Sequence, residues 1–127
     1  MAQILPIILN DGTANVTYSP YEIDAAGVAR LRTVSDTVIG ASELSVSGRT
    51  ATANRRVVVK LQIPTVQNEV VNGISIPKVV RVEIGKVELS LPITSTKAER
   101  KAIRLQLAGS LTNVLIAAVI DENENLY

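Results

Sequence analysis

The strongest pattern along the chain is an alternation of apolar and polar residues between Arg55 and Glu88. Alternate side chains of a strand point to opposite faces of its sheet. The first run divides into an apolar face of Val57, Val59, Leu61 and Ile63 and a second face of Arg56, Val58, Lys60 and Gln62. The later run divides into Val87, Leu89 and Leu91 against Ile84, Lys86, Glu88 and Ser90. We predict two long antiparallel strands joined by a long loop.

The predicted loop spans Thr65 to Lys78 and is framed by Pro64 and Pro77. Asn72-Gly73 is its turn signal. The apolar residues beside the turn, Val70, Val71, Ile74 and Ile76, would also allow an extended ribbon. Apolar side chains are costly to leave in water, so the tip either binds a partner or folds back on its own domain. The sequence leaves both alternatives open.

Weaker patterns predict strands upstream. An apolar run at Ile4–Leu9, the turn signal Asn10-Asp11-Gly12 and a return arm at Asn15–Tyr18 predict an N-terminal hairpin that ends at Ser19-Pro20. The segment Glu22–Arg32 allows either a helix or a strand, and we favour a loop that leads into a strand near Val28–Val34. A further strand at Ser42–Ser47, a polar turn at Gly48–Asn54 and the Arg55 run form a second hairpin.

The last third of the chain predicts two helices. Thr96 followed by Glu99 is a capping box, which marks a helix start. Gly109 is expected to end or kink this helix. The apolar stretch Leu111–Ile120 is expected to form a second one.

The fold predicted from this order is α+β, with an antiparallel sheet followed by two C-terminal helices in one domain over residues 1–127. The sheet and the helices carry more apolar surface than one small domain easily buries. A dimer, with helices exchanged between subunits, would cover it. A monomer with a few exposed leucines is the alternative.

Composition narrows the chemistry. The 127 residues include no Cys and no His, which removes thiol nucleophiles, the usual zinc sites and histidine acid–base catalysis. The net charge of +1 means that any nucleic-acid contact depends on local clustering of basic residues. No signal peptide and no apolar stretch of membrane-spanning length is recognised, so we expect a soluble cytosolic product.

No catalytic motif is found, so we expect no enzyme, no cofactor and no metal site. The polar sheet face is more informative, because Arg56, Lys60 and Lys86 share it and basic residues on a sheet contact phosphates well. The alternative is an ordinary solvated outer face. No aromatic residue lies among these positions, which weakens a hypothesis based on base stacking.

The run VVKLQIPTVQNEVVNGISIPKVVR, the later LPITSTKAER and the closing Leu-Tyr pair resemble the coat proteins of small single-stranded RNA bacteriophages, the leviviruses. The order of the predicted elements fits the same family. The resemblance covers nearly the whole chain and is most specific between Asn54 and Arg100.

This resemblance implies an N-terminal hairpin, a five-stranded antiparallel sheet and two helices. It also implies an interlocked homodimer with a continuous sheet, which assembles with other dimers into a quasi-equivalent (T=3) icosahedral shell without a membrane or a small-molecule substrate. The protein would be a virion component, assembled in the bacterial cytoplasm. Contacts at the symmetry axes would come from the inter-subunit loop residues Gln67, Asn68, Glu69, Val70, Val71, Asn72, Gly73, Ile74 and Pro77, with the peptide geometry at Pro77 differing between conformers.

The resemblance further implies that the inner sheet face binds the RNA genome and a hairpin within it, which represses translation of the replicase. The corresponding RNA-binding positions are Val28, Ser45, Ser47, Arg49, Arg56, Val58, Lys60, Gln62, Ile84, Lys86 and Glu88. Ile84 replaces a base-stacking tyrosine of the family, and Val58 and Glu43 replace threonines. We expect the contacts to the RNA backbone to persist and the base-reading half of the site to differ.

Three functions therefore remain in view. The leading one is a capsid subunit that also represses translation. The second is a dimeric RNA-binding regulator of the same fold that does not assemble. The third is an enzyme, against which the lack of His and Cys counts.

Overall fold

The computed structural model describes residues 3–34 and 38–126, and of Val38 only the backbone. Tyr127, the last residue of the closing Leu-Tyr pair, lies outside this range. Contacts between residues divide the chain into two compact units, Met1–Ser90 and Leu91–Tyr127, and each is described by itself. The organisation of the chain as one domain stays a prediction.

The first unit is built on an antiparallel sheet whose described strands lie in chain order, β1-β2-β3-β4-β5-β6. Their bounds are β1 Ile7–Asn10, β2 Asn15–Ile23, β3 Ala29–Arg32, β4 Glu43–Thr50, β5 Asn54–Val71 and β6 Ile74–Pro92. A short 3-10 turn at Val38–Gly40 lies between β3 and β4. The sheet and the two helices that follow it confirm the predicted α+β fold, with the N-terminal hairpin joined to the main sheet through β2.

The N-terminal hairpin forms where the sequence predicts it. The Asp11 carboxylate accepts hydrogen bonds from the backbone N–H groups of Thr13 and Ala14, both at 2.8 Å, and closes the turn. The predicted end at Ser19-Pro20 is wrong, because β2 continues to Ile23. The strand tolerates Pro20 because its pairing with β3 is interrupted by a register shift immediately after this residue.

The segment predicted to be a loop between residues 65 and 78 is instead the tip of the β5–β6 hairpin. The strands continue to a two-residue turn, in which Asn72 and Gly73 have φ of 53° and 78°. Positive φ at both central residues is what a type I′ turn requires, and Asn-Gly is its preferred sequence. The extended-ribbon alternative is therefore confirmed. The polar turn predicted at Gly48–Asn54 is also shorter, because β4 runs on to Thr50.

Neither framing proline interrupts its strand. Pairing between β4 and β5 begins at Glu43 with Gln62, so β5 has no β4 partner at Pro64. Pro77 lies in β6, the last strand in the described sheet order. A proline costs no ladder hydrogen bond where its side of the strand is unpaired. The peptide bond before Pro77 is trans.

The core of this unit is small and lies on one face of the sheet. Tyr18, Leu31 and Leu44 are the buried hydrophobic residues among those described, and Leu31 is 1% exposed. Val46, Val59 and other partly buried apolar residues pack around them. Leu31 pairs with Leu44 across β3 and β4, and Leu44 pairs with Leu61 across β4 and β5. One row of apolar residues therefore joins three strands.

The second unit contains the two predicted helices, α1 at Lys97–Thr112 and α2 at Val114–Asp121. The predicted capping residue is confirmed, because the Thr96 hydroxyl accepts from the Glu99 N–H at 3.2 Å. The prediction that Gly109 ends α1 is wrong, because α1 continues to Thr112. A single glycine costs a helix only about 1 kcal/mol. The break lies at Asn113, which is extended and caps α2 by accepting from the Leu115 N–H at 2.9 Å.

Among the described residues, no single helix has both the length and the hydropathy of a membrane span. The helices α1 and α2 reach that length and composition only when taken together, and they are bent by 61° at their junction.

Asp24 organises the turn between β2 and β3. Its carboxylate accepts from the backbone N–H groups of Ala26 at 2.9 Å and Val28 at 3.0 Å. Gly27 takes a positive φ of 81° within the same turn. The hydrogen bond from Val28, helped by that from Ala26 and by the Arg30 guanidinium, lowers the pKa of Asp24 below its usual value. The charged form of Asp24 therefore stabilises the turn.

We predict that Leu31→Ala lowers the free energy of unfolding by about 2–5 kcal/mol, because it leaves a cavity at the centre of the apolar row. The matched control is Val34→Ala on the same segment, where the side chain is 96% exposed. We expect that control to change stability by less than about 0.5 kcal/mol. Denaturant unfolding of both variants measures the difference. Equal effects would contradict the assignment of the core.

We predict that Asp24→Asn removes a pH-dependent part of the stability. Because the folded-state pKa of Asp24 is lowered, its contribution is present above the unfolded-state pKa of about 4 and disappears as the pH falls through the folded-state value. The stability difference between wild type and variant should be largest near neutral pH and shrink in acid. Denaturant titrations from pH 7 to pH 3 measure it, and a difference independent of pH would refute the assignment.

Candidate nucleic-acid interface

The strand register gathers most of the predicted RNA-binding residues on one face of the sheet. Directly opposite residues of paired strands share a face. Between β4 and β5 these pairs are Ser45 with Lys60, Ser47 with Val58 and Arg49 with Arg56. The apolar row lies at the alternate positions, so this polar face is opposite the core.

Two depressions lie on the polar face. The larger, of about 190 Å³, is lined by Val28, Ser47, Arg49, Arg56 and Val58. The smaller, of about 80 Å³, is lined by Arg30, Glu43, Ser45, Lys60 and Gln62. The structure therefore brings together the predicted site residues from β4 and β5 and the predicted Val28.

The predicted residues of β6 join this group through Arg56. The Arg56 guanidinium lies 2.6 Å from the Glu88 carboxylate, and the Lys86 ammonium lies 3.7 Å from the same carboxylate. The hydrogen bond from Arg56 lowers the pKa of Glu88, so Glu88 stays ionised and offsets part of the basic charge. Ile84 lies two residues before Lys86 on the same strand and is 60% exposed. It offers an apolar contact and no charge.

An ion-pair network centred on Arg30 adjoins the smaller depression and was missed by the sequence analysis. Arg30 lies 2.9 Å from Glu43, 3.4 Å from Asp24 and 3.9 Å from Glu22. Its side chain is partly exposed, so the network contributes modestly to stability and mainly fixes the direction of these groups. The sequence did contain a signal for it: Arg30 and Arg32 flank Leu31, so both arginines lie on the sheet face opposite the core.

Tyr21 is a second residue that the sequence analysis missed. It is the extra residue at the register shift between Pro20 and Glu22, which is a β-bulge. The Arg32 guanidinium carbon lies 4.4 Å from the centre of its ring. Partial burial and the nearby Glu43 carboxylate raise the pKa of Tyr21, so the hydroxyl stays protonated. These contacts place Tyr21 at the edge of the polar face.

The electrostatic balance of the face is mixed. Arg30 and Arg56 are paired with carboxylates. Within the described parts of the chain, Arg49 and Lys60 make no ion pair with a carboxylate. An ammonium or guanidinium group without an acidic partner is available to a phosphate. The arrangement suits contacts to an RNA backbone.

No metal site accompanies these residues. Across residues 3–34 and 38–126, no group of three or more His, Cys, Asp or Glu side chains is placed to hold a metal ion.

The residues predicted for inter-subunit contacts lie in the hairpin tip, at the far end of the strands that carry Lys60 and Lys86. They occupy the ends of β5 and β6 and the turn rather than a loop. Val70 and Ile74 are 71% and 65% exposed. Glu69 and Lys78 pair across the two strands at 3.6 Å. The tip is therefore an ordered ribbon with exposed apolar residues.

Comparison with known proteins identifies relatives over nearly the full length. The sequence model of the levivirus coat protein family matches residues 2–127. The capsid protein of Enterobacteria phage f2 is 30% identical over 124 residues, which are 95% of each chain. The capsid protein of Enterobacteria phage GA is 30% identical over 112 residues, or 86% of this chain and 85% of the relative.

Solved structures agree with these matches. The structure of the bacteriophage GA capsid protein has a TM-score of 0.83 and 27% identity, with 99% of each chain covered. The structure of a virus-like particle of Beihai levi-like virus 21 has a TM-score of 0.86 and 29% identity, again with 99% of each chain covered. The relatives are capsid proteins, which confirms the prediction of a structural protein rather than an enzyme. The chain belongs to the levivirus coat protein family.

Proposed function

We propose that this coat protein forms homodimers that assemble into a closed icosahedral shell around single-stranded RNA, with the polar sheet face binding the RNA. The observation that carries the RNA contact is that Arg49, Lys60 and Ser45 line two depressions on the same face, opposite the core. Family membership supports assembly, because the solved relatives include virus-like particles.

The edge of the sheet supports a dimer with a continuous sheet. β6 has 19 residues and is the last strand in the described order. A long uncovered edge presents unpaired backbone groups that readily pair with another chain. Val80, Val82 and Ile84 on this strand are exposed. A second copy of β6, related by a two-fold axis, would pair these backbone groups and extend the sheet to twelve strands.

The helices support the same dimer. Neither α1 nor α2 contains a buried residue. Leu111, Val114 and Leu115, around their junction, are at least half exposed. An apolar surface of this kind is costly in water and is typical of an obligate subunit contact. The helices of one subunit would therefore pack on its partner.

The finer parts of the proposal rest on family resemblance. The hairpin tip at residues 67–77 would contact other subunits at the symmetry axes of a T=3 shell. The polar face would recognise a hairpin of the genome and thereby repress translation of the replicase. Assembly would take place in the cytoplasm of the bacterial host, and the protein would be carried in the virion.

We predict that the purified full-length chain forms uniform particles containing RNA, visible by negative-stain electron microscopy, and that nuclease-protected RNA can be extracted from them. Small soluble dimers alone, under mild conditions, would contradict assembly and favour a non-assembling RNA-binding regulator.

We predict that the double variant Val70→Asp, Ile74→Asp yields dimers instead of particles, because it places charge on the exposed apolar tip of the hairpin. Size-exclusion chromatography with light scattering measures this change. The matched control is Ile8→Asp, which alters an equally exposed apolar residue on β1, 62% exposed. Particle formation by the double variant would refute the role of the tip.

We predict that Lys60→Ala weakens binding of single-stranded RNA by on the order of tenfold, the loss of one charge-assisted contact. The slope of log K against log salt should fall by about 0.7, the value for one phosphate contact to a single strand. Fluorescence anisotropy at several salt concentrations measures both quantities. The control is Lys78→Ala at the hairpin tip, which should change neither, and equal effects of the two substitutions would place the RNA elsewhere.

A further inference from the structure

Within residues 3–34 and 38–126, the polar face contains one accessible aromatic side chain. The chain has three tyrosines and neither Phe nor Trp. Among the described residues, Tyr18 is buried in the core, whereas Tyr21 is 41% exposed. Exposed aromatic rings beside basic residues are the usual platform for unpaired nucleobases, because every base has a π-face that can stack. Tyr21 therefore supplies an aromatic ring to a face whose predicted RNA-binding positions include none.

The bulge explains how Tyr21 reaches this face. Pro20 lies opposite Leu31, and Glu22 lies opposite Arg30. Tyr21 is the residue between them without a partner, so strict alternation does not decide its direction. Its ring contacts Arg32 and lies near Glu43, while Glu22 reaches Arg30. Both successive side chains of the bulge thus contact groups of the polar face.

The ring is held in place by charged neighbours. Arg32 covers part of it at 4.4 Å, within the range of a cation–π contact. The nearby Glu43 is itself held by Arg30 at 2.9 Å. A ring restrained by the Arg32 contact loses less freedom when a base stacks on it, so the site is partly pre-organised. Arg32 would also place a guanidinium beside the phosphate that follows a stacked base.

We propose that Tyr21 and Arg32 form a stacking site for an unpaired base of the packaged single-stranded RNA, beside the phosphate contacts of Lys60. This inference rests on the proposed RNA-binding function of the polar face. It assigns a base contact to strands β2 and β3 of the sheet, at residues that lie outside the predicted interface. Stacking depends on the π-face, so the site accepts any base and contributes affinity without a sequence preference.

Binding of defined oligonucleotides to full-length protein dissociated from its particles tests the proposal. The probes are a fluorescein-labelled oligouridylate of about 12 nucleotides and an abasic ribose-phosphate chain of the same length and charge. Wild type should prefer the oligouridylate. Tyr21→Leu should weaken binding of the oligouridylate by about 5- to 100-fold and leave binding of the abasic chain unchanged. The salt slope should also stay unchanged, because no charge is removed.

Two further variants separate stacking from its alternatives. Tyr21→Phe keeps the ring and removes the hydroxyl, so it should retain most of the preference for bases. If it instead loses as much as Tyr21→Leu, the hydroxyl contact with Glu43 is responsible and stacking is refuted. Lys60→Ala should weaken both probes alike. Circular dichroism and denaturant unfolding confirm that each variant is folded.

The outcomes distinguish the two proposals. If wild type binds both probes and Lys60→Ala weakens both, while Tyr21→Leu has no effect, the stacking site is refuted and the RNA-binding face stands. If wild type binds neither probe, the RNA-binding face fails and the stacking site fails with it.

Discussion

The packing of Leu31 against Tyr18 and Leu44 constrains both faces of the sheet at once. These residues belong to three neighbouring strands, and their burial fixes the register between the strands. A slip of one residue would turn every side chain of a strand to the other face. The same register that buries Leu44 against Leu61 therefore sets Ser45 beside Lys60 on the opposite side. The polar face and the core are consequences of one pairing pattern.

Part of the basic charge on the polar face is balanced by ion pairs with carboxylates. Glu43 and Glu88 each pair with an arginine, so the described part of the face combines ion pairs with basic groups that have no carboxylate partner there. Such pairs are partly exposed and contribute little to stability. In the proposed RNA complex, these pairs would limit where a phosphate binds and concentrate the contacts at Lys60 and Arg49. A locally basic face therefore fits a chain whose net charge is only +1.

A single subunit leaves much of its apolar surface exposed, which fits assembly with other subunits. The sheet buries three hydrophobic residues among those described, and the helices bury none. A small domain needs more apolar burial than this to offset the entropy lost on folding. Partner subunits supply the missing surface in the proposed dimer, so folding and association would be coupled. The ordered hairpin tip, with its apolar residues in water, fits the same interpretation.

The sequence alone determined the elements whose signals are local. Period-two alternation identified the faces of β5 and β6, Thr96 marked the start of α1, and Asn72-Gly73 marked the turn. These signals work because side-chain direction and backbone capping depend on neighbouring residues. The resemblance to levivirus coat proteins, carried by motifs spread along the chain, supplied the family and most of the candidate interface.

Tertiary structure decided what depends on pairing between distant strands. The bulge at Tyr21, the three carboxylates around Arg30 and the passage of β5 through Pro64 follow from which residues lie opposite one another. A proline ends a strand only where its missing N–H would be needed, and the sequence does not show which edge is unpaired. The stretch from Arg55 to Glu88 was predicted as two strands and a loop. It is one continuous hairpin, because unpaired edges accept both of its prolines.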